Sequence, residues 1–108
     1  MTVNSLVEQG FLKPIVLPDS EREITGVYIG DLLSWVMGRA SSGDAWITIM
    51  SNVNILAVAA LADCACIILA EGVSLEEDII KTANEKGINI LCCEKSSYEI
   101  AVYLKSVL

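Results

Sequence analysis

The stretch AWITIMSNVNILAVAALADCACIIL, residues 45–69, decides the fold of this 108-residue chain. Its first part, AWITIM, is a β-rich apolar run between polar turns, and it predicts a buried strand. ILAVAALAD, residues 55–63, is rich in alanine and predicts a helix, with Asn54 as its N-cap. CIIL predicts a second strand, closed by Gly72. A strand, a helix and a strand in succession predict a right-handed β-α-β unit with parallel strands.

The next segments repeat this pattern. SLEEDIIKTANEKG, residues 74–87, predicts a helix with a capping box of Ser74 and Glu77 and a stop at Gly87. INILCC, residues 88–93, is a short apolar run that predicts another strand.

A last helix is predicted for SSYEIAVYLKSVL, where Ser96 and Glu99 form a second capping box. The order β-α-β-α-β-α with short connections predicts an α/β fold with a mainly parallel sheet. The strands are continuously apolar, which is typical of a sheet covered on both faces. We therefore expect a small domain with three layers.

The first half of the chain has weaker signals. TVNSLVEQG predicts a short helix capped by Thr2, and KPIVLP a short extended segment. ITGVYIG, residues 24–30, predicts a strand in which Gly26 permits a bulge. DLLSWVMGRA, residues 31–40, predicts a helix capped by Asp31.

Composition narrows the classes of function. The chain is 54% hydrophobic but only 6% aromatic, so the core must be aliphatic, and the apolar surplus suggests an oligomer or a partner protein. A net charge of −7 argues against binding to nucleic acid or to an anionic membrane, because both require a basic patch. Neither a linker nor a repeat is visible, so we expect one domain over residues 1–108.

The compartment is predicted from the apolar segments. The longest apolar run, residues 55–69, is interrupted by Asp63 and is too short to span a bilayer. The N-terminal residues do not have the pattern of a signal peptide. We expect a cytoplasmic protein, in which disulfides would be unusual.

Three segments carry a family resemblance. REITGVYIGDLLSWVM, GDAWITIMSNVNILAVAALADCACIILAEG and the EKGINIL strand together resemble the DRTGG domain. In the motif that names this family, Arg22, Thr25 and Gly26 match. Glu21 stands where an Asp is expected, and Val27 stands where the family has a second Gly.

The resemblance implies a fold like the N-terminal domain of HPr kinase and a regulatory or accessory domain that dimerises. Similar domains accompany CBS domains in regulated pyrophosphatases. The catalytic parts of such proteins have no counterpart here, because the chain has no P-loop pattern and no histidine. We therefore expect a protein that is not an enzyme and needs no cofactor.

A ligand site is expected at the carboxyl ends of the strands, where helix N-termini present free N–H groups. A small anion or a nucleotide fragment suits such a place. Helix capping and turn formation are the alternative explanation for the same residue types. The candidate ligand-binding residues are Asp31, Thr48, Ser51, Asn52, Asn54 and Lys95.

The helix of residues 31–40 supplies a candidate dimer contact. Leu32, Leu33, Val36 and Met37 already give it an apolar face, so Trp35 is expected to project from it. The candidate dimer contacts are Trp35 and Met37. Aromatic and methionine side chains are enriched in interface cores. Either a homodimer contact or ordinary core packing explains these two residues.

The four cysteines support a different hypothesis, a metal-binding or redox-sensing protein. Cys64 and Cys66 begin one predicted strand, whereas Cys92 and Cys93 end the next. In parallel strands the two pairs lie about 10 Å or more apart, which excludes one site with four thiolates. We therefore expect no metal site and interpret the cysteines as core residues; Cys93 alone lies near the ligand end. A small enzyme is a third hypothesis, for which we find no pair of nucleophile and base.

Overall fold

The computed structural model describes residues 1–108 and contains five helices and five strands. In chain order the elements are α1 (Val3–Glu8), β1 (Lys13–Val16), β2 (Gly26–Ile29), α2 (Leu33–Arg39), β3 (Asp44–Thr48), α3 (Asn54–Ala62), β4 (Cys66–Leu69), α4 (Glu77–Lys86), β5 (Ile90–Cys92) and α5 (Ser97–Val107). The predicted α/β architecture is confirmed, including every element of the second half.

The five strands form one sheet in the order β1-β5-β4-β3-β2. β2 to β5 are parallel to their neighbours, and β1 alone is antiparallel, on the far side of β5. The four parallel strands follow one another in chain order. Right-handed crossovers therefore carry α2, α3 and α4 over the same face of the sheet.

Each face of the sheet has its own apolar core. One core joins side chains of α2, α3 and α4 to Trp46, Ile67 and Ile90. The other joins α1 and α5 to Ile47 and Ile68. Trp46 is fully buried, as predicted, and every other apolar residue of the two cores is aliphatic or a cysteine. A sheet covered on both faces explains the continuously apolar strands.

The predicted cap at Thr2 and the predicted capping box at Ser96 are both present in the helices on the second face. Thr2 caps α1, paired with Ser5, and Ser96 caps α5, paired with Glu99. Gly87 ends α4 in the left-handed conformation, with φ of 76°. None of the five helices has the length and apolar character that crossing a bilayer requires.

Two predicted N-caps on the first face are wrong. α3 begins at Asn54 itself, with Val53 as its N-cap residue, and the Asn54 N–H donates to Oδ1 of Asn52 in a turn that precedes the helix. α4 begins at Glu77 with Glu76 as its N-cap residue, so Ser74 lies two residues before the cap position and makes no cap.

The predicted cap at Asp31 and the predicted bulge at Gly26 are also wrong. α2 has no side-chain cap, because the Asp31 carboxylate is bonded to the neighbouring strand instead. β2 pairs with β3 in unbroken register from Gly26 onward. Gly26 is needed for a different reason: a Cβ there would lie 2.5 Å from Oδ1 of Asp44.

Candidate ligand site at the carboxyl edge of the sheet

The four parallel strands end along one edge of the sheet, which we call the carboxyl edge. The candidate ligand-binding residues all lie along it, but in three separate places. β3 and β5 are not neighbours, since β4 lies between them. The loops that follow β3 and β5 are therefore about 10 Å apart, at ~4.8 Å per strand.

The first of the three places contains Asp31 and Thr48. Oδ1 of Asp31 accepts hydrogen bonds from the Thr48 hydroxyl at 2.9 Å and from the Ile49 N–H at 3.0 Å. Thr48 is fully buried, so this carboxylate supplies the acceptor that a buried hydroxyl requires. The two residues therefore hold the ends of β2 and β3 together.

Ser51 and Asn52 form the second place, a shallow cleft of about 570 Å³. Glu76 and Asp78 line the same cleft. Asn54 is exposed outside it, and its backbone N–H donates to Oδ1 of Asn52 at 2.9 Å. Two carboxylates make this cleft unfavourable for an anion.

Lys95 lies in a third place, a cleft of about 580 Å³ that we call the lysine cleft. The lining residues are Gly10, Phe11, Lys13, Ile15, Gly72, Val73, Ser74, Leu75, Ile80, Cys92, Cys93, Glu94 and Lys95. They come from β1 and the turn before it, from the end of β5, from the loops after β4 and β5, and from the first turn of α4.

Lys13 is a residue of this cleft that the sequence analysis missed. It stands opposite Cys92 where β1 runs antiparallel to β5, so the first residue of β1 meets the carboxyl edge. KPIVLP carries no local signal for a strand direction. Nothing in the sequence therefore indicated that Lys13 and Lys95 line one cleft.

The cysteine pairs lie at opposite ends of neighbouring strands, as predicted. Leu69, the last residue of β4, is opposite Cys92, whereas Cys66 is the first residue of β4. Burial raises the pKa of the Cys66 thiol to about 12 and that of Cys64 to about 11. Both thiols are therefore protonated at neutral pH. No group of three or more His, Cys, Asp or Glu side chains is arranged to hold a metal ion.

Trp35 and Met37 both project into solvent from α2. Trp35 is 52% exposed and Met37 47% exposed, so neither is an ordinary core residue. The Arg39 guanidinium lies over the Trp35 ring, 3.7 Å from its centre. α2 directly follows β2, the edge strand, which exposes Val27 and Ile29.

The residues that resemble the family motif lie at the opposite, amino edge of the sheet. Arg22 bonds to Asp63, and the Thr25 N–H donates to the Gly43 carbonyl at 3.0 Å. Gly26 allows the close approach of Asp44. These contacts join the start of β2 to the loops that precede β3 and β4.

The sequence of residues 18–107 matches the DRTGG domain. The chain belongs to the DRTGG domain family. In this DRTGG domain the matching residues of the family motif stabilise the fold, since their contacts lie far from the carboxyl edge. None of the curated proteins matches the chain.

A solved structure with a similar fold is that of the CBS and DRTGG domains of the regulatory region of a Clostridium perfringens pyrophosphatase, complexed with its activator, diadenosine tetraphosphate. The TM-score is 0.71 at 13% identity, over 94% of this chain and 44% of the other. The DRTGG chain thus spans less than half the length of that regulatory region.

Proposed function

We propose that this DRTGG domain, over residues 1–108, is a non-enzymatic regulatory module of the cytoplasm. It forms a homodimer, binds a small anionic ligand or nucleotide at its carboxyl edge, and passes that signal to a partner protein. The observation that carries the proposal is the carboxyl edge itself, which combines open clefts with the exposed ammonium group of Lys95. Open α/β sheets bind ligands at this edge.

The family supports a regulatory role. The pyrophosphatase region that shares the fold was solved with a nucleotide activator, and this supports a nucleotide as the ligand class. The absence of histidine and the raised pKa values of Cys64 and Cys66 support a non-enzymatic role, because neither thiol is a ready nucleophile.

The homodimer is proposed to use the β2 side of the molecule. β2 has one unpaired edge and exposes two β-branched side chains, and edges of this kind are normally covered or blocked. Trp35, with Arg39 on its ring, and Met37 supply the residue types that anchor interfaces.

Light scattering after gel filtration tests the dimer. We expect twice the 11.6 kDa mass of one chain, and the mass of one chain for Trp35→Asp and for Met37→Asp. Tyr98→Asp is the matched control, because Tyr98 is 77% exposed at the start of α5. A wild-type protein with the mass of one chain contradicts the dimer.

Amide chemical shifts test the ligand. Titration of the ¹⁵N-labelled protein with ATP, diadenosine tetraphosphate and inorganic phosphate should shift amides along the carboxyl edge, at residues 49–54, 71–75 or 93–96. Lys95→Gln should weaken binding. Spectra that are unchanged by all three compounds contradict the ligand part of the proposal.

A further inference from the structure

We propose that the lysine cleft is the ligand site of this protein and that it accepts a small molecule with an anionic group and an apolar body. The inference deepens the ligand part of the proposed function and rests on it. Lys13 and Lys95 bind the anionic group, and the wall of the cleft contacts the apolar body.

The charge in the cleft is opposite to that of the whole protein. The chain carries −7, yet Lys13 and Lys95 both line this cleft and Glu94 is its one carboxylate. Neither lysine forms an ion pair, since the two ion pairs in the structure join Met1 to Glu23 and Arg22 to Asp63. Both ammonium groups are therefore available to an anion.

The wall of the cleft supplies the apolar surface. Phe11, Ile15, Val73, Leu75 and Ile80 are all partly buried and line it. The volume of about 580 Å³ lies within the usual range for small-molecule sites. Few polar groups in a largely apolar wall favour a ligand whose charge is confined to one end.

The aromatic part of this wall is held in place before any ligand binds. The Phe11 ring stacks on the Tyr103 ring at 4.1 Å between centres and 14° between planes. The Tyr103 hydroxyl in turn bonds to Gln9, just before the turn that leads into β1. A preformed wall lowers the entropy that binding costs.

The loop that carries Lys95 is also fixed. The Glu71 N–H donates to the Lys95 carbonyl at 2.9 Å, and the Gly72 N–H donates to the Cys93 carbonyl at 3.0 Å. Glu71 and Gly72 have φ of 61° and 71°. The loops after β4 and β5 therefore hold each other, and they fix the backbone from which the Lys95 side chain extends.

The neighbouring cleft on the same edge is a poor alternative. Ser51 and Asn52 share it with two carboxylates, Glu76 and Asp78, and no lysine or arginine lines it. An anion that diffuses to the carboxyl edge is therefore attracted to the lysine cleft and repelled from the cleft after β3.

Anilinonaphthalene sulfonate is a suitable probe, because it combines a sulfonate with apolar rings. We expect saturable fluorescence enhancement and amide shifts at Gly72, Ser74 and Lys95. Lys13→Gln and Lys95→Gln should each weaken its binding about fivefold, and salt should weaken it further. Lys86→Gln is the matched control, since Lys86 is exposed near the opposite edge of the sheet. Uncharged phenylnaphthylamine should bind more weakly and should not respond to the lysine variants.

Equal affinity of the wild type and both lysine variants for the sulfonate would overturn the inference. So would amide shifts from the sulfonate and from ATP confined to residues 48–54, an outcome that leaves the proposed function standing. If neither probe shifts any amide of the carboxyl edge, the proposed ligand function fails together with the inference.

Discussion

The Arg22 guanidinium donates one hydrogen bond to the Asp63 carboxylate and another to the Asp63 backbone carbonyl, each at 3.0 Å. Asp63 ends α3 in the left-handed conformation, with φ of 57°. Ser42 donates to the second carboxylate oxygen. A residue of the family motif therefore fixes the turn between α3 and β4 and connects it to the loop before β3.

This contact predicts a pH dependence of stability. The hydrogen bonds from Arg22 and Ser42 hold the pKa of the Asp63 carboxyl below its usual value. A lowered pKa in the folded state stabilises the fold above the unfolded pKa, about 3.9 for Asp, and this contribution is lost as pH falls through the folded pKa. We expect Arg22→Gln to lower the urea midpoint of unfolding at neutral pH. The difference between its midpoint and that of the wild type should disappear in acid. Lys81→Gln, which removes an exposed charge on α4, is the control and should leave the urea midpoint unchanged at both pH values. A difference between Arg22→Gln and the wild type that stays constant with pH would contradict the prediction.

Asn89 predicts a large loss of stability on substitution. Its side chain accepts from the Asp19 N–H at 2.9 Å and donates to the carbonyls of Asp19 and Ala65 at 2.7 and 3.0 Å. Asn89 is only 2% exposed, so water cannot replace these bonds at no cost. We expect Asn89→Ala to lower the free energy of unfolding by about 2–3 kcal/mol in urea titrations. Asn84→Ala on the exposed side of α4 should change it by less than about 0.5 kcal/mol; equal effects would contradict the role of Asn89.

Substitution of two glycines by alanine should change the stability of the protein in opposite directions. Gly43 has φ of 86°, and a Cβ there would meet the Thr25 hydroxyl, so Gly43→Ala should destabilise the protein by about 1–3 kcal/mol. Gly38 lies in α2, and beyond its chain neighbours and the backbone of its own helix no atom lies within 4 Å of an added Cβ. Gly38→Ala should therefore stabilise the protein by about 0.5–1 kcal/mol. Thermal unfolding of the two variants side by side measures both, and a stabilising Gly43→Ala would be inconsistent with the structure.

The cysteines predict an order of thiol reactivity. Cys66 is 1% exposed and burial raises its pKa to about 12, whereas Cys92 and Cys93 are only partly buried and line the lysine cleft. Because the thiolate is the reactive form, iodoacetamide at mildly alkaline pH should modify Cys92 and Cys93 well before Cys66. Peptide mass spectrometry gives the order, and addition of urea should make all four cysteines react. Rapid modification of Cys66 in the folded protein would instead support the redox hypothesis.

The sequence predicted best those features that depend on residues close together in the chain. The predicted cap at Thr2 and the predicted capping box of Ser96 and Glu99 each join residues three positions apart, and both are present. The strands from residue 45 onward were predictable because short apolar runs between turn residues have few alternatives in an α/β fold. Their parallel order followed from the helices between them.

The predicted caps at Asn54 and Ser74 failed because the helices begin at residues other than those predicted, whereas the cap at Asp31 failed because a neighbouring strand reaches it. Asp31 has the residue type and position of an N-cap, but β2 and β3 are neighbours, so its carboxylate meets the buried Thr48 hydroxyl. A helix cap is worth about 1 kcal/mol, which is comparable to what a buried unpaired hydroxyl costs. Tertiary contacts can therefore redirect such a side chain.

By itself, the sequence determined the fold class, the family and the separation of the two cysteine pairs, because these follow from local periodicity and from the alternation of strands and helices. Only the tertiary structure decided the composition of the candidate site. Lys13 joins Lys95 because β1 runs antiparallel beside β5, and Ser51 shares its cleft with Glu76 and Asp78 because α4 begins beside the end of β3. Such partners are distant in the chain, and their proximity depends on how the elements pack and, for Lys13, on the position and direction of β1, for which the sequence has no local signal.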